Sequence, residues 1–435
     1  MVSIQIEKSK INGVLGCPSS KSYSHRAIAI ASLAEGQSII SNALLSRDTL
    51  ATLAACKAFG ANIHHTNNIL HVTGNHNLDT PENIINAENS GTTIRIMCAM
   101  SALVKKGFTV LTGDESLRRR PMYPILNALE QLGVHAYSTK MDGTPPLIVR
   151  GGGIKGGTAE IDGSVSSQFL SSLLISCIYA DSEVTLRIKD QQVSKPYIYS
   201  TLETMKTFGV KIDHDPNFLE YSIERNKYKP TVFEIPGDFS TAAIMLAAGL
   251  LAGGDDGIIV KDLNFSLPQA DSKILDIIRM MEGQLKIDKQ KGEITAYGSE
   301  KLEGGEFCIM DSPDLLPVIS ILALKARSQV TISGVAHARL KETDRITNIA
   351  SQLTKLGAII NEKKDGLSII APRVLKNASL EAFNDHRLFM AFTIASLLSE
   401  KSIVSGVQSV DVSYPNFIQD MINLEAKISL MPDRE

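Results

Sequence analysis

KAFGANI (57–63), EQLGVHA (130–136), KTFGVKI (206–212), MMEGQLKI (280–287) and TKLGAII (354–360) are five versions of one signal. Each reads as the last turn of a helix, then a glycine, then the start of a strand. Gly60, Gly133, Gly209, Gly283 and Gly357 are expected to close their helices in the left-handed conformation that a side chain resists. Their spacings are 73, 76, 74 and 74 residues, and DMINLEAKI (420–428) is a sixth version without the glycine. A second signal keeps the same beat: SKSYSHRAIAIASL from Ser20, NSGTTIRIMCAMSAL from Asn89, SVSSQFLSSLLISC from Ser164, PGDFSTAAIMLAAGL from Pro236, MDSPDLLPVISILAL from Met310 and FNDHRLFMAFTIASL from Phe383. A fixed long period sets the architecture before any single residue is read.

Each period reads in one order. A polar turn opens a helix of small and apolar residues; then come a strand, an amphipathic helix and two short strand-like runs such as IHHT and NNILHVTG. Helices as apolar all round as AIAIASLA or AAIMLAAGLLAGG must be buried on most faces. Three periods would therefore pack their small-residue helices together with sheets outside, and six would make two such assemblies. The junction falls at SIERNKYKPTVFEIPGDFS (222–240), with its charges, two prolines and glycine. The strand at residues 3–7 precedes the first full repeat and the chain closes on an incomplete one, so the N-terminal strand is expected to complete the C-terminal domain. The expected domains are 14–232, and 1–13 with 233–435. Two crossings, near 11–17 and 232–238, would then link the domains, and a hinge beside a cleft is expected there.

The 435 residues carry 44 basic and 47 acidic side chains, a net charge of −3. This argues against a nucleic-acid partner or a membrane-surface protein, so any basic site must be a local cluster. The five cysteines (17, 56, 98, 177, 308) stand at least 39 residues apart, which supports neither a disulfide framework nor a metal site. MVSIQIEKSK reads as a strand and not as a signal peptide, and no apolar run is long enough to span a bilayer. A cytoplasmic protein is expected, and a monomer, because the cleft lies within one chain.

Charge gathers where the small-residue helices open. Lys21, Ser22 and Arg26 sit on the first such turn, where free N–H groups and the helix dipole favour an anion. Ser166, Ser167 and Gln168 open the third, and Ser194 and Tyr197 follow in VSKPYIY. Arg118, Arg119 and Arg120 precede Pro121, and at least one of them is expected to face a site. Asp314 lies at a helix start, where alone it would read as a cap. The densest cluster runs from His337 through Arg339, Lys341, Glu342 and Asp344 to Arg345. Lys341 and Arg345 share a face if that run is helical, and would repel unless an anion lay between them. Asn384-Asp385-His386-Arg387 opens the sixth helix. Five cations, Lys21, Arg120, Lys341, Arg345 and Arg387, with Asp314 and Glu342 among them, would suit a small polyanionic substrate and acid–base chemistry. GGGIKGGT (151–158) lacks the order of a phosphate loop and lies between strand-like runs, so a hairpin turn is expected there.

These segments together resemble the 5-enolpyruvylshikimate-3-phosphate synthases over essentially the whole chain. SKSYSHRA, NSGTTIR, RRRP, DGSVSSQFL, VSKPY, RLKETDR and NDHR, in that order, carry the resemblance. It implies a two-domain inside-out α/β barrel of six βαβαββ units, three per domain. It also implies transfer of the enolpyruvyl group of phosphoenolpyruvate to the 5-hydroxyl of shikimate 3-phosphate, with no organic cofactor and no catalytic metal. By the same resemblance Lys21, Ser22, Arg26, Ser166, Ser167, Gln168, Ser194, Tyr197, Asp314, His337 and Lys341 would hold shikimate 3-phosphate. Lys21, Gly91, Arg120, Gln168, Arg345 and Arg387 would hold phosphoenolpyruvate, the last two at its carboxylate. Asp314 would be the base at the 5-hydroxyl, Glu342 would move the proton at the methylene carbon, and Lys21 would assist the chemistry. Val412 stands where many members have a lysine, Ile96 where well-known members have a proline, and His337 where some have an asparagine.

Two rivals remain at this level. One is the sister enolpyruvyl transferase acting on UDP-N-acetylglucosamine, which would show Lys-Asn in the first turn and a cysteine on a mobile loop, where this chain has Lys21-Ser22 and a helical Cys98. The other is a non-catalytic anion-binding protein of the same fold, which would leave Asp314 as a cap and Glu342 as a surface acid.

Overall fold

Small side chains decide which helices are buried. In the computed structural model, which describes residues 2–431, twelve α-helices alternate along the chain. They are α1 (Lys21–Leu33), α2 (Arg47–Ala58), α3 (Gly91–Ser101), α4 (Tyr123–Gln131), α5 (Ser167–Cys177), α6 (Lys195–Thr207), α7 (Phe239–Ala252), α8 (Ile274–Met280), α9 (Leu316–Leu322), α10 (Arg345–Lys355), α11 (His386–Ser396) and α12 (Phe417–Asn423). The odd-numbered helices are the small-residue segments. Every residue of α7 is buried, as is every residue of α1 from Tyr23 onward. The even-numbered helices keep a solvent face.

Six four-stranded sheets accompany the helices. In four of them the strands flanking an odd-numbered helix pair in parallel, as Gly157–Asp162 does with Val184–Lys189 around α5. A hairpin then adds two antiparallel strands, as in Ile359–Lys363 with Gly366–Ile370. The remaining two sheets of this kind are assembled from distant parts of the chain. Val232–Glu234 pairs in parallel with Gly36–Ser41, and Ile11–Gly16 pairs in parallel with Gly253–Lys261. Ser3–Glu7 lies between Lys401–Ser405 and Lys427–Met431 and stands in for the missing hairpin strand of the sixth repeat.

The chain divides into two compact units: Ser19–Pro236, and the residues up to Pro18 together with those from Gly237 onward. The boundaries expected at 13/14 and 232/233 fall inside strands, because each of those strands completes a sheet and stays with it. In the N-terminal unit α3 packs on both α1 and α5; in the C-terminal unit α7, α9 and α11 pack on one another. Their buried residues are mostly alanine, serine and aliphatic residues, with Phe169, Phe239, Phe389 and Phe392 among them.

Two local expectations need correction. Residues 151–156 form no hairpin, because Leu147–Arg150 and Gly157–Asp162 belong to different sheets and the glycines carry the chain from one to the other. In the fourth repeat the left-handed residue is Glu282 (φ 57°), one place before Gly283. The end of α8 still makes the paired bonds Glu282 N–H to Arg279 O (3.0 Å) and Gly283 N–H to Ile278 O (2.9 Å). Gly283 is needed for space instead, since a Cβ there would stand 2.7 Å from the Ile278 side chain and 3.0 Å from that of Leu250. Glu425 (φ 73°) takes the same position in the sixth repeat, where Gly60, Gly133, Gly209 and Gly357 serve in four others.

A non-glycine residue held left-handed costs about 1 kcal/mol. Glu282→Gly and Glu425→Gly are each expected to stabilise the C-terminal unit by about that amount, raising its melting temperature by roughly 2–4 °C, whereas Gly283→Ala is expected to lower it. Differential scanning calorimetry of the three variants checks the signs.

Candidate active site

In the N-terminal unit the site grows from helix N-termini. Ser20 caps α1, which places Lys21 in its first turn with Nζ 3.0 Å from Asp48 Oδ2. One turn on, Arg26 is buried, and its partners are all neutral. Nε donates to Thr201 Oγ1 at 2.7 Å, Nη1 to the Ser22 carbonyl at 2.9 Å and Nη2 to the Tyr197 carbonyl at 3.0 Å. Burial pulls this guanidinium down to about 10, which leaves it charged at neutral pH. A buried cation surrounded by dipoles alone favours an anion beside it. Ser166 caps α5 and accepts from Gln168 N–H. Ser194 opens α6 with a left-handed backbone (φ 57°), a strained conformation of the kind found at ligand sites.

A second cluster forms around Gly91 at the start of α3. A Cβ at this position would lie 3.0 Å from Arg95 Nη1 and 3.1 Å from Arg120 Nη1, so glycine lets two guanidiniums converge. Arg95 also donates to Gln168 Oε1 and lies over the Phe169 ring, and Gln168 Nε2 donates to Thr92 Oγ1 at 3.1 Å. Arg120 Nη2 donates to Asn89 Oδ1 at 3.0 Å, whereas Arg118 and Arg119 are exposed. A buried chain of His25 Nδ1, Thr52 Oγ1, Thr93 Oγ1 and Ser90 Oγ, with steps of 2.6, 2.6 and 2.7 Å, ties α1 and α2 to the cap of α3.

In the C-terminal unit the site is one ionic cluster. Arg345, 1 % exposed, is the first residue of α10. Its Nε donates to Asp385 Oδ2 (2.7 Å), Nη1 to Asp314 Oδ1 (2.8 Å), and Nη2 to Glu342 Oε2 (2.7 Å) and Asp385 Oδ1 (3.3 Å). Asp314 also receives Arg387 Nη2 at 2.9 Å and has Lys341 Nζ at 3.9 Å. Burial alone would raise the Asp314 carboxyl, but Arg387, Lys341 and Arg345 hold it far below the usual carboxylate range. Asp271 moves the other way, raised by burial and by the neighbouring Asp314 charge. His337 is buried; desolvation and the Lys341 charge lower it to about 4, so the ring is neutral at neutral pH.

Three expectations change here. Lys341 and Arg345 do not share a helical face, because a 3₁₀ turn ends at Leu340 and α10 begins only at Arg345. Asp314 caps no helix; it sits within the 3₁₀ turn Pro313–Leu315 and faces cations. Glu342 is not a solvated acid, since its side chain is 14 % exposed and bound to Arg345. Val412 is buried and supplies no cation. Asp48, Arg95 and Asp385 join these clusters without having been expected to. Arg95 and Asp385 lay inside the quoted NSGTTIR and NDHR motifs, whereas nothing in SRDTL marks Asp48 as the partner of Lys21. Among the described residues no group of three His, Cys, Asp or Glu side chains is placed to hold a metal, and no helix is long and apolar enough to cross a membrane.

Residues 6–421 match the family model described as EPSP synthase (3-phosphoshikimate 1-carboxyvinyltransferase). A 3-phosphoshikimate 1-carboxyvinyltransferase of Nitrosopumilus maritimus is 44% identical over 424 residues, which cover 98% of this chain and 99% of that protein. The protein of the same name from Methanocaldococcus jannaschii is 40% identical over 97% of each. Among solved structures, an EPSP synthase of Acinetobacter baumannii superposes with a TM-score of 0.82 at 24% identity, covering 99% of this chain and 100% of that one. The enolpyruvyl transferase NikO of Streptomyces tendae does so with 0.79 at 16%, covering 99% of each; at these identities both speak for the fold alone.

The His337 shift has a definite sign. Between pH 6.5 and 4 the unfolded chain binds a proton at this position that the folded protein refuses, so acid costs stability there, by about 2 kcal/mol at pH 5. The His337 ring is expected to titrate near pH 4 by NMR, and His337→Gln to narrow the stability difference between pH 7 and pH 5 by about that amount.

Proposed function

The chain belongs to the EPSP synthase family, and from that membership we propose how its own side chains divide the work of a 3-phosphoshikimate 1-carboxyvinyltransferase. The enzyme transfers the enolpyruvyl group of phosphoenolpyruvate to the 5-hydroxyl of shikimate 3-phosphate and releases phosphate. The observation that carries the assignment of roles is the buried cluster in which Asp314 and Glu342 share Arg345.

In this reading Asp314 takes the proton of the 5-hydroxyl as that oxygen attacks C2 of phosphoenolpyruvate, and Glu342 delivers a proton to C3. The product of this step is a tetrahedral adduct with a methyl group. Removal of a methyl proton then forms the new double bond as phosphate leaves. Each general acid or base contributes about 10²–10⁴-fold. Arg345 and Arg387 hold the substrate carboxylate through their planar donors. Lys21, Gln168 and Arg120, with Gly91 leaving room, receive the departing phosphate and stabilise its growing charge. Arg26, Ser22, Ser166, Ser167, Ser194 and Tyr197 hold shikimate 3-phosphate in the N-terminal unit, and Lys341 and neutral His337 contact it from their own. The missing carboxylate partner of Arg26 and the strained Ser194 support a phosphate ligand there. The crossings near 11–17 and 232–238 are the proposed hinge. Action as a monomer in the cytoplasm completes the proposal. Cys98 is buried within α3 and does not supply the loop thiol of the UDP-N-acetylglucosamine enzyme.

Phosphate release from phosphoenolpyruvate is expected with shikimate 3-phosphate and not with UDP-N-acetylglucosamine. Asp314→Asn and Glu342→Gln should each lower turnover by about 10²-fold or more. Arg387→Ala should raise the KM for phosphoenolpyruvate by roughly 30-fold, the equivalent of about 2 kcal/mol. Arg345→Ala is no equivalent test, because it strands buried Asp385 and is expected to cost about 3–5 kcal/mol of stability. Normal turnover in both acid variants would remove these residues from the proton transfers.

A further inference from the structure

A guanidinium has five N–H groups in a rigid fork. Four of those of Arg345 are committed: Nε and one Nη2 proton to Asp385, the other Nη2 proton to Glu342, and one Nη1 proton to Asp314. Arg387 gives an Nη2 donor to Asp314 as well. A substrate carboxylate needs parallel donors. The two carboxylates assigned to proton transfer therefore occupy the donors assigned to the substrate.

We infer that phosphoenolpyruvate binds by exchange: its carboxylate displaces Asp314 and Glu342 from Arg345 and Arg387, while Asp385 stays as the fixed anchor. This rests on the carboxylate-clamp reading above and adds to it an internal competitor. Asp385 is the partner that cannot leave. It is 0 % exposed, and its Oδ1 also accepts from the N–H groups of Arg387 (2.9 Å) and Leu388 (3.3 Å) as the cap of α11. Moving it would orphan a helix terminus together with a buried charge. Asp314 and Glu342 have 15 % and 14 % of their side chains exposed, so they can exchange partners beside solvent. Lys341 Nζ, 3.9 Å from Asp314, is in place to keep a released carboxylate near the shikimate side. Around Arg345 the cations Arg345, Arg387 and Lys341 already face Asp314, Glu342 and Asp385, with Asp271 beside Asp314, so their charge is answered from within the chain. An incoming carboxylate gains its place only as an internal one gives way. Without substrate the base is clamped by three cations and too weak to take a hydroxyl proton; seating the substrate carboxylate frees it.

The test is the affinity for phosphoenolpyruvate, measured by calorimetry on full-length protein saturated with 5-deoxyshikimate 3-phosphate, which fills the site but has no hydroxyl to react. Removing a competitor for charge-assisted bonds should tighten binding about tenfold in Asp314→Asn, and in the same direction in Glu342→Gln. Inorganic phosphate, which has no carboxylate, should bind both variants as it binds the parent. Unchanged phosphoenolpyruvate affinity in both variants would overturn the exchange, as would an equal gain for phosphate, which would mean only a change in local charge. Turnover separates this from the reading beneath it. Lost turnover without tighter binding keeps Asp314 as the base and sinks the exchange. Tighter binding with normal turnover keeps the exchange and removes Asp314 as the base.

Discussion

The bond between Arg345 and Asp385 is the constraint on which the ionic cluster of the C-terminal unit depends. Arg345 opens α10 and Asp385 caps α11, so one ion pair fixes two helix starts against each other. A cation in the first turn of a helix opposes the helix dipole. The arrangement holds because Asp385, Asp314 and Glu342 surround the guanidinium and more than offset its burial. Asp385 orients Arg345 through its side chain and Arg387 through its backbone N–H, which places both arginines from a single buried carboxylate.

The N-terminal unit solves the opposite problem. Lys21 is paired with Asp48, but Arg26 is set among dipoles alone. Arg26 is held by a hydroxyl and two carbonyls, and Arg95 and Arg120 converge on a residue with no side chain. A cation held as Arg26 is costs free energy to bury without an anion, which is the property expected of a phosphate site. The C-terminal unit thus holds Arg345 among carboxylates, and the N-terminal unit holds Arg26 among dipoles.

Much of this was legible in the sequence, for identifiable reasons. The helix alternation follows from composition, since segments rich in alanine and serine can only be core and segments closed by Gly60, Gly133, Gly209 and Gly357 have a visible end. What the sequence concealed is set by neighbours distant in the chain. Glu282 takes the left-handed place that the helix-closing bonds require, while Gly283 answers to the space beside Ile278 and Leu250. Lys341 and Arg345 look like helical neighbours in RLKETDR, but the chain leaves the 3₁₀ turn before α10 begins. Asp48 has no signature of its own and acquires its role only when α2 lies beside α1. The NDHR motif drew notice to Arg387, whereas the residue that organises the cluster is the aspartate two places before it.

The placement of Ser3–Glu7 in the middle of the last sheet has a consequence for the order in which the protein is made. Residues 19–236 are one continuous stretch and include every strand of their three sheets, so that unit can fold while synthesis of the rest continues. The first strand emerges earliest and is satisfied last, because Ser3 pairs with Ser405 and Met431. Until the final repeat is translated, a strand with buried positions at Ile4 and Ile6 has neither neighbour, and contacts of such long range form slowly. The C-terminal unit is therefore completed only when its last repeat has been made, although the strand at its centre precedes every other part of it.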